Sequence, residues 1–381
     1  MQVVIYIGLF KTGSTSLQRF LAQNYLRLRQ AGILYPAVEA RGLARQERAA
    51  RRGCDLPLDG AGLNETEPHN ALALRMRAEA GGGAVPPYYP DLPPSGQMLA
   101  TLRQQMVQHD PGAVVLCSEV FSLLGLLPGQ RGLRQLAALL AGQEVTIYFT
   151  LRRLDDYLSS WHRQRLKFGD RLSPLAGSAY GAYQPTAHFQ HGAALEAWMR
   201  HFPRARLVLR DFDLARRRGG TVADFAAHSG LALPEGLQPV APCNPSVPAA
   251  LWEVARAGIH ALGRDEGGRL ARWLAGHAGG LDLPPDGDVE MFGPRCRPVM
   301  PCDYAPVLAQ LRALSGNERL LERVDLSLQR PVRDWAAAAR ALPDLRTALS
   351  GAPEMAAISR WIEGWQVTRG QRTGGETSEK P

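Results

Sequence analysis

Residues 2–8, Gln-Val-Val-Ile-Tyr-Ile-Gly, form a β-branched and aromatic run with no polar alternation, the pattern of a parallel strand buried on both faces. From Ser14 the period changes. Leu17, Phe20, Leu21, Tyr25 and Leu28 recur at helical spacing, Ser14 or Thr15 can cap the start and Gly32 can end it, so residues 2–30 read as strand, loop, helix. Helical stretches near 98–108, 133–140, 156–167 and 221–229 then alternate with strand-like runs at 113–118, 144–151 and 206–210. Such alternation predicts an α/β fold, a parallel sheet flanked by helices.

Between residues 37 and 95 Arg, Gly and Pro dominate and no period is sustained, so the stretch reads as an insertion after the first helix. Beyond 244, Val247, Leu251, Val254 and Leu262, then Leu308, Leu311, Leu320 and Leu321, predict a helical extension, and the polar residues 368–381 a disordered tail. The expected organisation is one domain over residues 1–367.

The composition of the 381 residues, 45% hydrophobic and 21% charged, is that of a folded chain and excludes global disorder. A net charge of +8 favours anionic ligands such as nucleotides, acidic glycans or anionic membrane faces. That charge is carried by arginine, since Lys11, Lys167 and Lys380 are the only lysines, and one of them sits in the loop after the first strand. Five cysteines, Cys54, Cys117, Cys243, Cys296 and Cys302, show no CxxC spacing, which argues against a disulfide framework or structural zinc and for a reducing cytosol. No basic region precedes the first apolar run, and Glu119 interrupts the longest later one, so the chain reads as soluble and cytoplasmic with no transmembrane segment. Basic and aromatic residues are not interleaved as in single-strand binders, and no nucleic-acid partner is expected.

The chemistry is concentrated at Gly8-Leu-Phe-Lys11-Thr12-Gly13-Ser14-Thr15-Ser16, between strand and helix, where free backbone N–H groups and the helix dipole make an anion site. Gly13 permits the turn, the hydroxyls of Ser14, Thr15 and Ser16 add donors, and Lys11 adds a point charge. In nucleoside-triphosphate P-loops the lysine directly follows the last glycine. Here Ser14 holds that place and Lys11 precedes Gly13, which disfavours a nucleotide kinase or NTPase. A non-catalytic, Arg-rich binder of acidic glycans is the other alternative, supported by the charge alone.

The run Tyr-Ile-Gly-Leu-Phe-Lys-Thr-Gly-Ser-Thr-Ser-Leu-Gln-Arg-Phe-Leu from Tyr6 resembles the 5′-phosphosulfate loop of the P-loop sulfotransferases, particularly bacterial members, and Gly-Ile-Leu-Tyr-Pro from Gly32 is similar to the segment downstream of that loop in the family. The family often carries His at the place of Tyr6 and His or Pro at that of Phe10. The resemblance implies 3′-phosphoadenosine 5′-phosphosulfate as donor, Lys11 at its bridging oxygen, and Thr12, Gly13, Ser14, Thr15 and Ser16 around the 5′-phosphate. A second motif supports it: Arg152, eight residues, Ser160 resembles the family's 3′-phosphate clamp, with Pro usual where Leu154 stands. Arg152 should emerge at the C-terminal edge of the sheet, with Ser160 in the next helix. The competing arrangement pairs Arg152 and Arg153 with Asp155 and Asp156. Weaker echoes are Arg206-Leu-Val-Leu-Arg-Asp-Phe, Asn244-Pro-Ser-Val and Gly316-Asn-Glu-Arg-Leu.

Sulfuryl transfer resembles phosphoryl transfer, an in-line displacement helped by charge stabilisation and a base. It requires no metal in principle, and neither HExxH nor an Asp-rich metal loop is present. Glu119, where the strand 113–118 leaves the sheet, is the first candidate base. His69 in the insertion is the second, and His162 beside Trp161 the third. Arg216, Arg217 and Arg218 read as a solvated face. The acceptor, a hydroxyl or amine on a carbohydrate, a small molecule or a lipid-linked glycan, is set by loops such as 37–95.

Overall fold

The computed structural model describes residues 1–56, 58, 60–241, 245–322 and 324–367. Five parallel strands form the main sheet: β1 (Gln2–Tyr6), β2 (Ile33–Leu34), β3 (Ala113–Cys117), β4 (Glu144–Leu151) and β5 (Arg206–Asp211), in the order β2-β3-β1-β4-β5. The α/β expectation holds: β1 and β3 are buried along almost their whole length, as both-face burial requires. On one face Val4, Tyr6, Val115, Cys117 and Tyr148 pack with Leu17 and Leu21 of helix α1 (Ser14–Gln23) and with Phe225 of the helix Gly220–His228. Each such apolar side chain contributes about 1.5–3 kcal/mol by leaving water. The helix Pro68–Glu79 packs against β3.

The chain divides into two compact units. The first holds the sheet and comprises the described residues of 1–157, 183–241 and 302–324. The second, residues 158–182, 245–301 and 325–367, is mostly helical, with a two-stranded sheet β6 (Val289–Glu290) and β7 (Val332–Arg333) and the buried ion pair Arg297–Glu290 at 2.9 Å. The helices expected beyond 244 thus divide, because residues 302–324 belong with the sheet. Asn244, Cys243 and the tail 368–381 lie outside the described residues.

Three local differences from the sequence reading have clear causes. The helix expected to run to residue 30 breaks at the buried Asn24, whose amide donates to Phe20 O (2.9 Å) and Gln238 O (3.0 Å). A two-residue strand, β2, comes after Gly32 and is too short to declare a period. The stretch 37–95 is not irregular but carries the helices Ala40–Arg52, Leu63–Thr66 and Pro68–Glu79. The first of these buries Gly42, Gln46 and Ala49, small or polar residues that an apolar period misses.

Candidate functional site

The strand order fixes where ligands can act. From β1 the chain passes to one side of the sheet and from β4 to the other, and such a reversal opens a crevice at the carboxyl ends of the two strands. The loop after β1 and Arg152 after β4 both lie there.

The loop is built tightly. Ile7 N–H donates to Tyr148 O (2.9 Å) and Leu9 N–H to Thr150 O (3.0 Å), so its start remains pinned to β4. The buried Thr12 hydroxyl donates to Leu9 O (2.5 Å) and lies 3.2 Å from the Tyr6 hydroxyl, while Thr221 donates to Thr12 O (2.7 Å). Tyr6 itself is buried and stacks on Tyr148, ring centroids 5.7 Å apart, as a floor under the turn.

Two glycines are sterically required. A Cβ on Gly8 would stand 2.7 Å from the Tyr6 ring, and Gly13, at φ +82°, would drive one into Thr221. Lys11 adopts φ 60° without being glycine, a conformation that costs about 1–2 kcal/mol. Its carbonyl is held by Arg152 Nη1 at 3.2 Å. The N-cap residue of α1 is Gly13, which has no side chain to accept from the first turn.

Arg152 lies over the Phe212 ring, its Cζ 5.2 Å from the centroid. Arg153 grips Asp155 through two bonds of 2.6 and 2.9 Å and approaches Asp156 at 3.4 Å. Arg216, Arg217 and Arg218 are exposed. Ser160 and His162 sit on the helix Leu154–Lys167, in the part that belongs to the second unit; both are buried, and burial pushes the His162 imidazole down to about 3.

Glu119 stands two residues after β3, half-buried, with Gln18 Nε2 donating to Oε2 at 2.9 Å and Asn70 Nδ2 to Oε1 at 3.4 Å. Burial raises its pKa, against hydrogen bonds from Ser14, Asn70 and Gln18 that lower it. The sequence reading missed its neighbour. Glu67 is buried; its Oε2 accepts from Asn70 Nδ2 (2.8 Å) and from the Tyr89 hydroxyl (3.0 Å). Burial, with the Glu119 charge second, pushes Glu67 up to about 7. Asn70 therefore bridges two carboxyl groups, and Ser118 fixes it by donating to Oδ1 at 2.6 Å. Glu67 precedes Pro68 at a helix start, the only signal the sequence carries of an ordered position there.

His69 is fully buried behind β3: its Nδ1 accepts from Cys117 N–H (3.1 Å), Tyr35 packs edge-on at 4.8 Å, and burial pushes it down to about 3. It is a neutral internal acceptor at the end of a strand. A second histidine escaped the sequence reading: His188 packs on Phe10 of the loop (5.6 Å) and shares a 2.7 Å hydrogen bond with the Tyr157 hydroxyl.

Among the described residues no three His, Cys, Asp or Glu side chains gather as metal ligands, and no helix is long and apolar enough to cross a membrane. No family model and no curated protein matches the chain. Among solved structures it is similar to a crystal structure of a sulfotransferase from Alicyclobacillus acidocaldarius, at 15% identity over 83% of this chain and 96% of that one, with a TM-score of 0.34.

Proposed function

We propose that this chain is an enzyme that transfers a sulfuryl group from 3′-phosphoadenosine 5′-phosphosulfate to a hydroxyl or amine acceptor, with a carbohydrate as the preferred acceptor class. One observation carries the reading: the ends of three adjacent strands, β3, β1 and β4, bring a half-buried carboxyl, a lysine-bearing loop and an arginine to one edge of the sheet, with Arg152 bonded to the Lys11 carbonyl at 3.2 Å. A lysine-bearing loop at the start of a helix whose N-cap residue is glycine suits the 5′-phosphosulfate end, with Thr12, Gly13, Ser14, Thr15 and Ser16 around it. Arg152 suits a second phosphate. Ser160's part in that clamp rests on its sequence spacing from Arg152.

In this reading the acceptor oxygen or nitrogen attacks sulfur, the new bond forms as the bond from sulfur to the bridging oxygen breaks, and the acceptor's proton passes to the Glu119 carboxylate. Lys11 meets charge developing on the bridging oxygen, and 3′-phosphoadenosine 5′-phosphate leaves. His69 has no part in proton transfer here, because its acceptor nitrogen is occupied by Cys117 N–H and burial disfavours its charged form.

The test is a thermal-shift series without added metal. 3′-Phosphoadenosine 5′-phosphate at 100 times its dissociation constant should stabilise the protein by about 2.7 kcal/mol, and AMP, lacking the 3′-phosphate, much less. Equal shifts for both would remove the case for a second phosphate site. Stabilisation by ATP with magnesium alone would replace this reading with a nucleotide kinase or NTPase.

A further inference from the structure

The proposed transfer uses Glu119 and leaves Glu67 without a task. Burying a second carboxyl beside the first is unfavourable unless one of them keeps its proton or gains compensating bonds. The groups that face Glu67 come from several elements: Glu119 and Cys117 from the end of β3, Arg19 from α1, Tyr35 after β2, Tyr88 and Tyr89 beyond the helix Pro68–Glu79, and Asn70 within it. Arg19 is the one cation in this set, and it acts on Glu67 less than burial, the Glu119 charge, Asn70 or Tyr89 do. The Asn70 amide has two N–H bonds and offers its nitrogen to both carboxyls, at 2.8 Å and 3.4 Å. Neither carboxyl bonds the other, so the coupling runs through Asn70 and through space.

We propose that Glu67 is a positioning residue for the base: bridged by Asn70, it and Glu119 titrate as one pair, and the charge state of Glu67 sets how strongly Glu119 draws the acceptor's proton. With Glu67 protonated, Glu119 is the carboxylate of the pair. Once Glu67 ionises, its charge disfavours the Glu119 carboxylate and makes it a stronger base. During turnover the acceptor's proton moves to Glu119 and then to solvent, while the charge state of Glu67 does not change. Burial, with the Glu119 charge second, pushes Glu67 up to about 7, which puts the device in the physiological range.

This rests on Glu119 being the base, and the experiment separates the two claims. Difference infrared spectroscopy of the free protein, with no donor present, reads protonated carboxyls from about pH 5 to about pH 9. The wild type should show a carboxyl that loses its proton near neutrality. Glu67→Gln should lose that step, while the Glu119 step, which in the wild type also occurs opposite a protonated Glu67, should stay near its lower position. Tyr89→Phe, which deletes only a hydroxyl that stabilises the Glu67 carboxylate, should move the upper step upward, and it guards against misfolding of the first variant. In turnover, the kcat of the wild type should keep rising through neutrality. Glu67→Gln should level off earlier, about three- to tenfold lower at alkaline pH, with donor KM unchanged. An upper carboxyl step that survives in Glu67→Gln, or pH profiles of the two proteins that superimpose, would overturn the proposal. Failure of the donor nucleotide to bind would sink the transfer reaction while the infrared steps still decided whether the pair exists.

Discussion

His69 offers a test that needs neither donor nor acceptor, because its burial has a thermodynamic consequence. In the unfolded chain its imidazole takes a proton near 6.5, whereas in the fold burial holds it neutral down to about 3. The folded pKa is depressed, so the unfolded chain binds more protons below 6.5, and stability falls as pH drops from 6.5 toward 3. At about pH 5 this one group should have removed roughly 1.36 × 1.5, or about 2 kcal/mol. The perturbation is His69→Asn, whose Oδ1 can still accept from Cys117 N–H but cannot titrate. Losing the ring should cost a few kcal/mol at every pH. His162 and His191, each also pushed down to about 3 by burial, contribute alike to both proteins and cancel. Urea unfolding at about pH 7.5 and about pH 5 should therefore show the gap between wild type and variant narrowing by about 2 kcal/mol on acidification. A gap independent of pH, or a His69 ring that titrates near 6.5 by NMR, would refute the assignment and make His69 a candidate base again.

Two further predictions concern the loop and its partners. Lys11→Ala should lower turnover by roughly 10²-fold or more by removing a donor aimed at the leaving oxygen, and wild-type turnover in that variant would end the proposed mechanism. Arg152→Ala and Glu119→Gln should fail differently: the first raises donor KM about tenfold or more, as loss of a charge-assisted bond of ~1.5–3 kcal/mol implies, whereas the second keeps donor affinity and lowers kcat by about 10²- to 10⁴-fold. Matching kinetic defects in the two variants would mean that binding and proton transfer are not divided as proposed.

The range of each interaction decides whether the sequence reveals it. The loop after β1 is local: a buried run, Gly8, Gly13 and a change to helical period fall within a few residues, and the strands at 113–118 and 144–151 lie within a residue of where their apolar runs place them. The helix Ala40–Arg52 is equally local yet carries no apolar period, since its start depends on Glu39 accepting from Arg41 N–H (2.8 Å) and Gly42 N–H (2.6 Å), not on large apolar residues. The carboxyl pair is different in kind. Gln18 meets Glu119 across 101 positions of chain because β3 and β1 lie side by side in the sheet, and Asn70 meets it across 49 because the helix Pro68–Glu79 packs against β3. A strand can announce its own end, but not whose end stands next to it. That is why Glu119 could be nominated from the strand it follows, whereas Glu67, at the start of a helix in a stretch with no apolar period, emerges only once that helix packs against β3 and sets Asn70 between the two carboxyls.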